Sequence, residues 1–170
     1  YILRLSELKI TEAFDAKLSP IQKALQYLFQ HYRENPSSEE MAKILNKPIE
    51  ETKIITCHIG NGSSISAVKG GKVMDTSMGL TPLAGIEMGT RCGDIDPSVV
   101  TYIMDKENLT PAEMDHIMNK KSGFLGVSGI DSDSRSLEAA IANGPSDPNY
   151  ERANLAVNIL CHGIKKFIGA

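Results

Sequence analysis

Hydrophobic and polar residues follow different patterns along the chain, and the pattern changes after the first third. Within the first third, apolar residues recur at helical spacing after a capping box at 19–22, which has proline at the first helical position. Asn35-Pro36 breaks this helix, and a second capping box at 37–40 opens a shorter helix that Pro48 ends. The first third is therefore predicted to form two helices.

Short β-branched runs replace the helical pattern in the middle of the chain. We predict strands at 54–59, 63–68 and 72–78, joined by Asn61-Gly62 and by Gly70-Gly71, dipeptides that favour tight turns. Consecutive strands joined by tight turns pair with their neighbours. This region is therefore predicted to be a three-strand β-meander.

A loop and a second set of helices follow the strands. Residues 79–96 are rich in glycine, threonine and proline, and long ordered loops in compact domains are usually functional. Capping residues predict four helices, which begin after Asp96, after Thr110, near Ser136 and after Asp147.

The last of these helices carries an apolar stripe, formed by Ala153, Val157, Leu160, Ile164, Phe167 and Ile168. The stripe is still continuous at Ala170, where no stop signal stands, so we expect the chain to be cut there. The N-terminus has neither Met nor the residue order of a signal peptide, so we expect neither a native start nor secretion.

Composition excludes several classes of protein. The 170 residues are 41% hydrophobic and 23% charged, which is typical of a globular protein rather than a disordered one. A net charge of −3 and the absence of Trp argue against nucleic-acid binding, and no apolar run is long enough for a membrane helix. Three widely spaced cysteines, Cys57, Cys92 and Cys161, predict buried thiols in a reducing cytoplasm.

The first candidate for chemistry is the predicted hairpin turn, which contains His58, Ile59, Gly60, Asn61 and Gly62. Glycines let backbone N–H groups approach an anion closely, so the turn could hold phosphate. An ordinary turn that needs positive φ at Asn-Gly explains the same residues, and both interpretations stay open. Cys57 and His58 should point to opposite faces of the strand, one of them to the core, which argues against a Cys–His catalytic pair.

Arg91 is the second candidate, because it stands between Gly89 and Gly93 in the long loop. Its planar guanidinium suits a carboxylate or a phosphate group. The alternative is a surface ion pair with Asp94 or Asp96.

The third candidate is the segment that contains Asp131, Asp133, Ser134 and Arg135. An aspartate and an arginine two residues apart could clamp a polar ligand, but Asp133 or Ser134 could equally cap the helix that follows. The histidines have no partners at metal-ligand spacing, so we predict no metal site in this chain.

Four segments together carry a resemblance to a known family: residues 57–64, 73–85, 88–97 and 126–135. They resemble acetate kinases over roughly residues 41–170. The resemblance implies an α/β fold, part of the acetate and sugar kinase, heat-shock ATPase and actin-like (ribonuclease H-like) fold. It also implies phosphoryl transfer between ATP and acetate to give acetyl phosphate and ADP, with Mg²⁺, in a cytoplasmic homodimer.

The resemblance also implies roles for individual residues. In the family, the nucleotide phosphates are contacted by the segment that corresponds to His58, Ile59, Gly60, Asn61 and Gly62. The nucleotide is further contacted by the segment that corresponds to Asp133, Ser134 and Arg135. The arginine that corresponds to Arg91 stabilises the transition state.

Other family motifs are not found in this sequence. The glycine-rich phosphate loop, the substrate arginine and the catalytic aspartate belong upstream, and a second nucleotide motif and the metal ligand belong downstream. We therefore expect the metal ligands outside this chain, and we expect the chain alone to be inactive. Gln30 stands about where the family's transition-state histidine is expected.

Residues 1 to about 36 do not resemble the family and look more like a helix pair of another kind. We therefore divide the chain into a helical segment of unclear origin at 1–50 and an acetate-kinase-like fragment at 51–170. Two alternatives remain open: a non-catalytic α/β module fused to a helical interaction or DNA-binding segment, and an ATP-binding relative with another acyl or sugar substrate.

Overall fold

The computed structural model describes Lys23, Tyr27, Gln30, His31 and residues 37–170. The first predicted helix, with its capping box at 19–22, lies outside the described residues except for those four, which are helical. The chain divides into two compact units. One is Tyr1–Ile54 with Lys69–Lys72, and the other is Ile55–Val68 with Val73–Ala170.

The first unit contains helix α1 (Ser38–Leu45), followed by a turn of 3₁₀ helix at Ile49–Glu51. The capping box predicted for α1 is confirmed. The N–H of Ser37 donates to Glu40 Oε2 at 2.7 Å, and the N–H of Glu40 donates to Ser37 Oγ at 3.2 Å. Asn46 ends the helix in a left-handed conformation with φ 52°, two residues before Pro48.

The three predicted strands form a meander, as β1 (Lys53–His58), β2 (Ser64–Lys69) and β3 (Lys72–Thr76), in the order β1-β2-β3. Between β2 and β3, Gly70 and Gly71 have φ of +57° and +73°, as a tight hairpin turn requires.

The expectation that Cys57 or His58 faces the core is wrong, because both are exposed. Strand β1 lies at an edge of the described sheet. Ile54 is its only half-buried residue, and the side chains on both of its faces are otherwise exposed. The expectation of buried thiols also fails: Cys57 is exposed, and Cys92 and Cys161 are half-buried free thiols.

Five helices follow the long loop, which the structure confirms as irregular from residue 77 to residue 96. They are α2 (Pro97–Glu107), α3 (Pro111–Lys120), α4 (Gly123–Ser128), α5 (Ser134–Ala142) and α6 (Tyr150–Gly169). Asp96 and Thr110 cap α2 and α3 as predicted, and Thr110 forms a complete capping box with Glu113. Within the described part of the chain, none of the helices combines the length and the hydropathy of a membrane-spanning segment.

The core of the second unit lies where α4 and α5 pack against α6. The stripe predicted on α6 is largely confirmed, because Ala153, Val157 and Leu160 are buried, while Ile168 is 46% exposed and lies outside it. Buried residues from β2, the long loop and these three helices complete this core, namely Ile65, Ile86, Phe124, Leu137, Ala140 and Ala156.

Helix α4 was not predicted from the sequence. Its two glycines lower its intrinsic helix propensity, so the local pattern does not indicate a helix. The long loop supplies what the pattern lacks. The N–H groups of Phe124 and Leu125 donate to the carbonyl oxygens of Met88 and Gly89, at 2.9 and 3.0 Å, and so the first turn of α4 is capped by another segment.

Candidate active site

Three segments that are far apart in sequence meet at two glycines. A methyl group built on Gly62 would lie 3.4 Å from Arg91 Nη1. A methyl group built on Gly89 would lie 3.7 Å from Asn61 Oδ1 and 2.8 Å from the carbonyl oxygen of Ser132. The structure therefore brings the hairpin turn, the arginine loop and the segment before α5 together. We call residues 60–63, 88–91 and 131–135 the three-segment site.

The hairpin turn is held by Ser63, whose side chain is buried. Its Oγ accepts a hydrogen bond from the N–H of Gly60 at 3.1 Å and donates one to the carbonyl oxygen of Gly60 at 3.0 Å. The amide of Gly60 is therefore used within the turn. The N–H groups of Asn61 and Gly62 have no hydrogen-bond partner among the described residues, so these two amides are the donors left for a ligand.

Backbone conformation separates the two explanations of the glycines in this turn. Gly60, Asn61 and Gly62 all have φ outside the left-handed region, so the turn does not need glycine for positive φ. The interpretation of the turn as an ordinary Asn-Gly hairpin is therefore wrong on this point. Because Gly62 has no side chain, the space beside the guanidinium of Arg91 stays open.

Neutral acceptors hold Arg91. Its Nη1 donates to the carbonyl oxygen of Pro82 at 3.2 Å and lies 3.6 Å from Met88 Sδ. The Nε and Nη2 donors have no partner within the described part of the chain. No regular pattern in the sequence identifies Pro82 or Met88 as contacts of Arg91, because both contacts depend on how the long loop folds.

The ion pair that we considered for Arg91 is absent from the described residues. Asp94 instead accepts the N–H of Gly85 at 2.8 Å, and Asp96 accepts the N–H of Ser98 at 2.9 Å as the cap of α2. Because no carboxylate neutralises it there, the guanidinium keeps its attraction for an anion.

Asp133 caps α5, as one of the two interpretations of this segment held. Its Oδ1 accepts the N–H of Arg135 at 2.9 Å, and both of its oxygens accept the Nε–H of Arg135 at 3.0 Å. This contact lowers the pKa of Asp133 to about 2. Ser134 is the first residue of α5, and the side chain of Arg135 is 86% exposed, so the guanidinium is accessible from solvent.

Asp131 shapes the backbone before this cap. Its Oδ1 accepts the N–H groups of Ser132 and Asp133, at 2.7 and 3.3 Å, and its Oδ2 accepts the hydroxyl of Ser136 at 2.7 Å. These bonds lower the pKa of Asp131. Asp131 therefore fixes the loop that contacts Gly89 and has few lone pairs left for a ligand.

The described residues offer no ready set of metal ligands. No three His, Cys, Asp or Glu side chains are grouped there in a way that could hold an ion. Three of the carboxylates around the site, Asp94, Asp131 and Asp133, already accept hydrogen bonds from backbone or side-chain donors. We therefore derive no step through a metal held by these residues.

Comparison with known proteins identifies the family. Residues 27–170 match the acetokinase family. The chain belongs to this family. The match begins at residue 27, which corrects our expectation that the resemblance starts near residue 41 and that everything before about residue 36 lies outside it.

Individual kinases are similar to this chain in sequence and structure. The chain is 52% identical over 156 residues to the acetate kinase of Moorella thermoacetica, covering 89% of this chain and 38% of that protein. The crystal structure of Porphyromonas gingivalis acetate kinase matches with a TM-score of 0.71 and 49% identity, over 78% of this chain and 32% of that one. A propionate kinase from Francisella tularensis matches with a TM-score of 0.69 and 40% identity, over 88% and 34%.

These neighbours confirm the predicted fold class. The chain has part of the actin-like fold of acetate and propionate kinases, with a three-stranded antiparallel sheet followed by helices. It spans about a third of the length of the relatives that it matches.

Proposed function

We propose that the protein to which this chain belongs transfers a phosphoryl group between ATP and acetate, giving acetyl phosphate and ADP. In this proposal the phosphates of the nucleotide lie against the turn from His58 to Gly62, which includes Ile59, Gly60 and Asn61. The Asp133–Arg135 segment contacts the nucleotide, and Arg91 meets the charge that develops on the transferred phosphoryl group.

One observation carries the proposal: the turn that has two unpaired amides lies beside the uncompensated guanidinium of Arg91. The N–H groups of Asn61 and Gly62 have no partner among the described residues. Arg91 Nη1 lies 3.4 Å from the point that a Gly62 side chain would occupy. Backbone amides together with an arginine fork suit a phosphate, whose oxygens accept several hydrogen bonds at once.

This arrangement fits the chemical needs of phosphoryl transfer. The transition state spreads negative charge over the equatorial oxygens, and catalysis depends on positioning and on charge stabilisation more than on covalent help. Rigid backbone donors would position the phosphates, and Arg91 would supply the charge. The roles for individual residues rest on this chemistry together with family membership.

The remaining parts of the proposal come from the family. They are ATP and Mg²⁺ as cofactors, a cytoplasmic homodimer, and acetate as the acyl substrate. Because the solved neighbours include both an acetate kinase and a propionate kinase, the acyl chain has to be tested directly. The division into a segment at 1–50 and a kinase-like fragment at 51–170 also stays a prediction.

Two measurements test the proposal. The first follows acyl phosphate formation from ATP with acetate or propionate, in a full-length family member that carries residues 37–170 of this sequence. We expect activity with acetate to exceed activity with propionate. Absence of acyl phosphate with both acids would overturn phosphoryl transfer.

The second measurement maps nucleotide binding on the chain itself. We expect the backbone amide NMR signals of Asn61 and Gly62 to shift on titration with ATP, and those of helix α2, which forms no hydrogen bond with the three-segment site among the described residues, to stay in place. Shifts confined to residues outside the three-segment site would contradict the assigned phosphate contacts while leaving the reaction open.

A further inference from the structure

Glu87 is a buried carboxyl group that the proposed reaction does not use. The residue is 7% exposed, and it lies between Ile86 and Met88, each 1% exposed. Both of its side-chain oxygens are buried, and neither has a hydrogen-bond partner among the described residues. A buried polar group without a partner costs free energy, so this position calls for an explanation.

The backbone around Glu87 is tightly folded. Gly85 and Asp94 bridge its two ends, since the N–H of Asp94 donates to the carbonyl oxygen of Gly85 at 2.7 Å and Asp94 Oδ1 accepts the N–H of Gly85. Between them, the N–H of Met88 donates to the carbonyl oxygen of Arg91 at 3.2 Å. Glu87 therefore stands directly before the turn that positions Arg91.

The backbone on the two sides of Glu87 is closely packed at Gly93. A methyl group on Gly93 would lie 2.6 Å from the carbonyl oxygen of Gly85 and 2.9 Å from the backbone nitrogen of Glu87. The carbonyl oxygens of Met88 and Gly89 also hold the start of α4. Any movement that hydrates Glu87 therefore disturbs the Arg91 turn and the first turn of α4 together.

No charged group in the described chain compensates a negative charge on Glu87. Several elements contact residues 85–93: residues 77–82, which have no titratable side chain, the end of α3, helix α4, helix α6 beside Gly163, the hairpin turn and the 131–133 loop. Helix α4 has no titratable side chain. The titratable groups of the other elements and of the segment itself form no hydrogen bond or ion pair with Glu87; they are His58, Arg91, Cys92, Asp94, Lys120, Lys121, Asp131, Asp133, Cys161, His162 and Lys165.

We propose that the carboxyl of Glu87 is a proton-dependent latch on the segment that positions Arg91. When it is protonated it remains buried and residues 85–93 stay packed. When it is ionised it must gain water, and the segment loosens. The latch is independent of the proposed phosphoryl transfer, because it concerns the folding of this segment in the absence of any substrate.

Burial fixes the direction of the effect. It raises the pKa of Glu87 to about 7 from an ordinary value of 4.5. Between these two values the packed segment holds a proton that the open segment releases, so packing weakens as the pH rises through this window. The loss of packing stability is complete above about pH 7, and below about pH 4.5 there is none.

Hydrogen exchange on this chain tests the latch directly. The amides of Gly85, Met88, Cys92 and Asp94 each donate a hydrogen bond and should exchange slowly while the segment is packed. After correction for the intrinsic rate, we expect their opening to increase by up to about tenfold per pH unit between roughly pH 5 and pH 7, as release of one proton requires.

Two substitutions make the test specific. Glu87→Gln keeps the shape but cannot ionise, so the opening of its segment should not change with pH. Glu138→Gln on α5 removes an exposed carboxyl and should keep the pH dependence of the unchanged chain. Equal pH dependence in the unchanged chain and in Glu87→Gln would overturn the proposal.

A direct titration covers the case in which Glu87→Gln fails to fold. The ¹³C signal of the Glu87 carboxyl in the unchanged chain should titrate well above the signals of exposed glutamates. A midpoint near 4.5, the ordinary value, would overturn the latch without any variant.

Discussion

The two turns of the β-meander both contain two glycines, but they need them for different reasons. Between β2 and β3, Gly70 and Gly71 have φ of +57° and +73°, where other residues are strained. Between β1 and β2, Gly60 and Gly62 have ordinary φ, and the nearest atom to a Gly62 side chain would be Arg91 Nη1. In the turn between β2 and β3, glycine is needed for the backbone conformation. In the turn between β1 and β2, it leaves space for a neighbouring group.

This difference shows how a glycine-rich turn can be assigned to folding or to binding. A substitution at a positive-φ glycine should cost stability whatever the ligand does. A substitution at a glycine with ordinary φ should leave folding nearly intact and affect only what approaches that space. The same Gly→Ala change, made in both turns, therefore separates the two roles.

The largest effect is expected for Arg91→Ala, which removes the group facing Gly62. In a full-length enzyme carrying this sequence, we expect kcat to fall by about 10²–10³-fold, as for the loss of one transition-state donor. The KM for ATP should change much less, because the charge develops only in the transition state. Steady-state kinetics measures both values, and an unchanged kcat would assign Arg91 to a structural role.

Gly62→Ala should have the next largest effect. We expect ATP affinity to fall at least about tenfold, since loss of one charge-assisted hydrogen bond costs about 1.5–3 kcal/mol. The unfolding midpoint should hardly change, because Gly62 has ordinary φ. Isothermal titration calorimetry and thermal unfolding of the same variant measure the two quantities.

Gly79→Ala is the matched control for Gly62→Ala. A methyl group there would also lie 3.4 Å from its nearest atom, the Cβ of Ala84, but no free amide or cation of the three-segment site is beside it. ATP affinity should stay normal in this variant. If Gly62→Ala instead destabilises the fold and leaves ATP binding intact, the contrast between the two turns disappears.

Gly70→Ala should reverse the pattern. We expect a loss of about 1 kcal/mol or more in the free energy of unfolding, because alanine is strained at positive φ. ATP affinity should not change. Denaturant unfolding measures the loss, and Gly70→Asn should recover part of it, since asparagine tolerates the left-handed region. A weaker affinity for ATP in Gly70→Ala would contradict the separation of roles.

The smallest effect concerns the cap of α5, a feature of the three-segment site that serves folding. The Asp133 carboxylate gains stability from Arg135, which lowers its pKa to about 2. This contribution is complete above the ordinary pKa, near 4, and is lost as the pH falls toward 2. Asp133→Asn retains a capping side chain, so it should unfold at a slightly lower temperature at pH 6 and at the same temperature as the unchanged chain near pH 2.

Thermal unfolding across this acid range measures the effect of Asp133→Asn. Asp115→Asn, on the exposed surface of α3, is a suitable control for the general effect of removing a carboxylate. If the difference between Asp133→Asn and the unchanged chain persists at the lowest pH, the carboxylate is not the source of the stability.

Local features of this protein could be predicted because they depend on neighbours in sequence. The capping boxes at Ser37 and Thr110, the caps at Asp96 and Asp133, and the meander all follow from residues within a few positions of each other. Family membership could also be predicted, because its motifs are long and contiguous. The family match begins at residue 27, earlier than the resemblance indicates, because the motifs that carry the resemblance begin only at residue 57.

The rest was decided by contacts between distant segments. Helix α4 exists because Met88 and Gly89 accept its first amides, and its own sequence gives no sign of this. The free amides of the hairpin turn become a candidate phosphate site only because the loop folds Arg91 beside Gly62. Short-range hydrogen bonds and hydrophobic periodicity were enough to predict the strands, the helices other than α4, most of their caps and the family. Three properties needed the folded chain: which glycines provide space, which carboxyl is buried without a partner and which cation is left for a ligand. Each of them depends on what other segments place nearby.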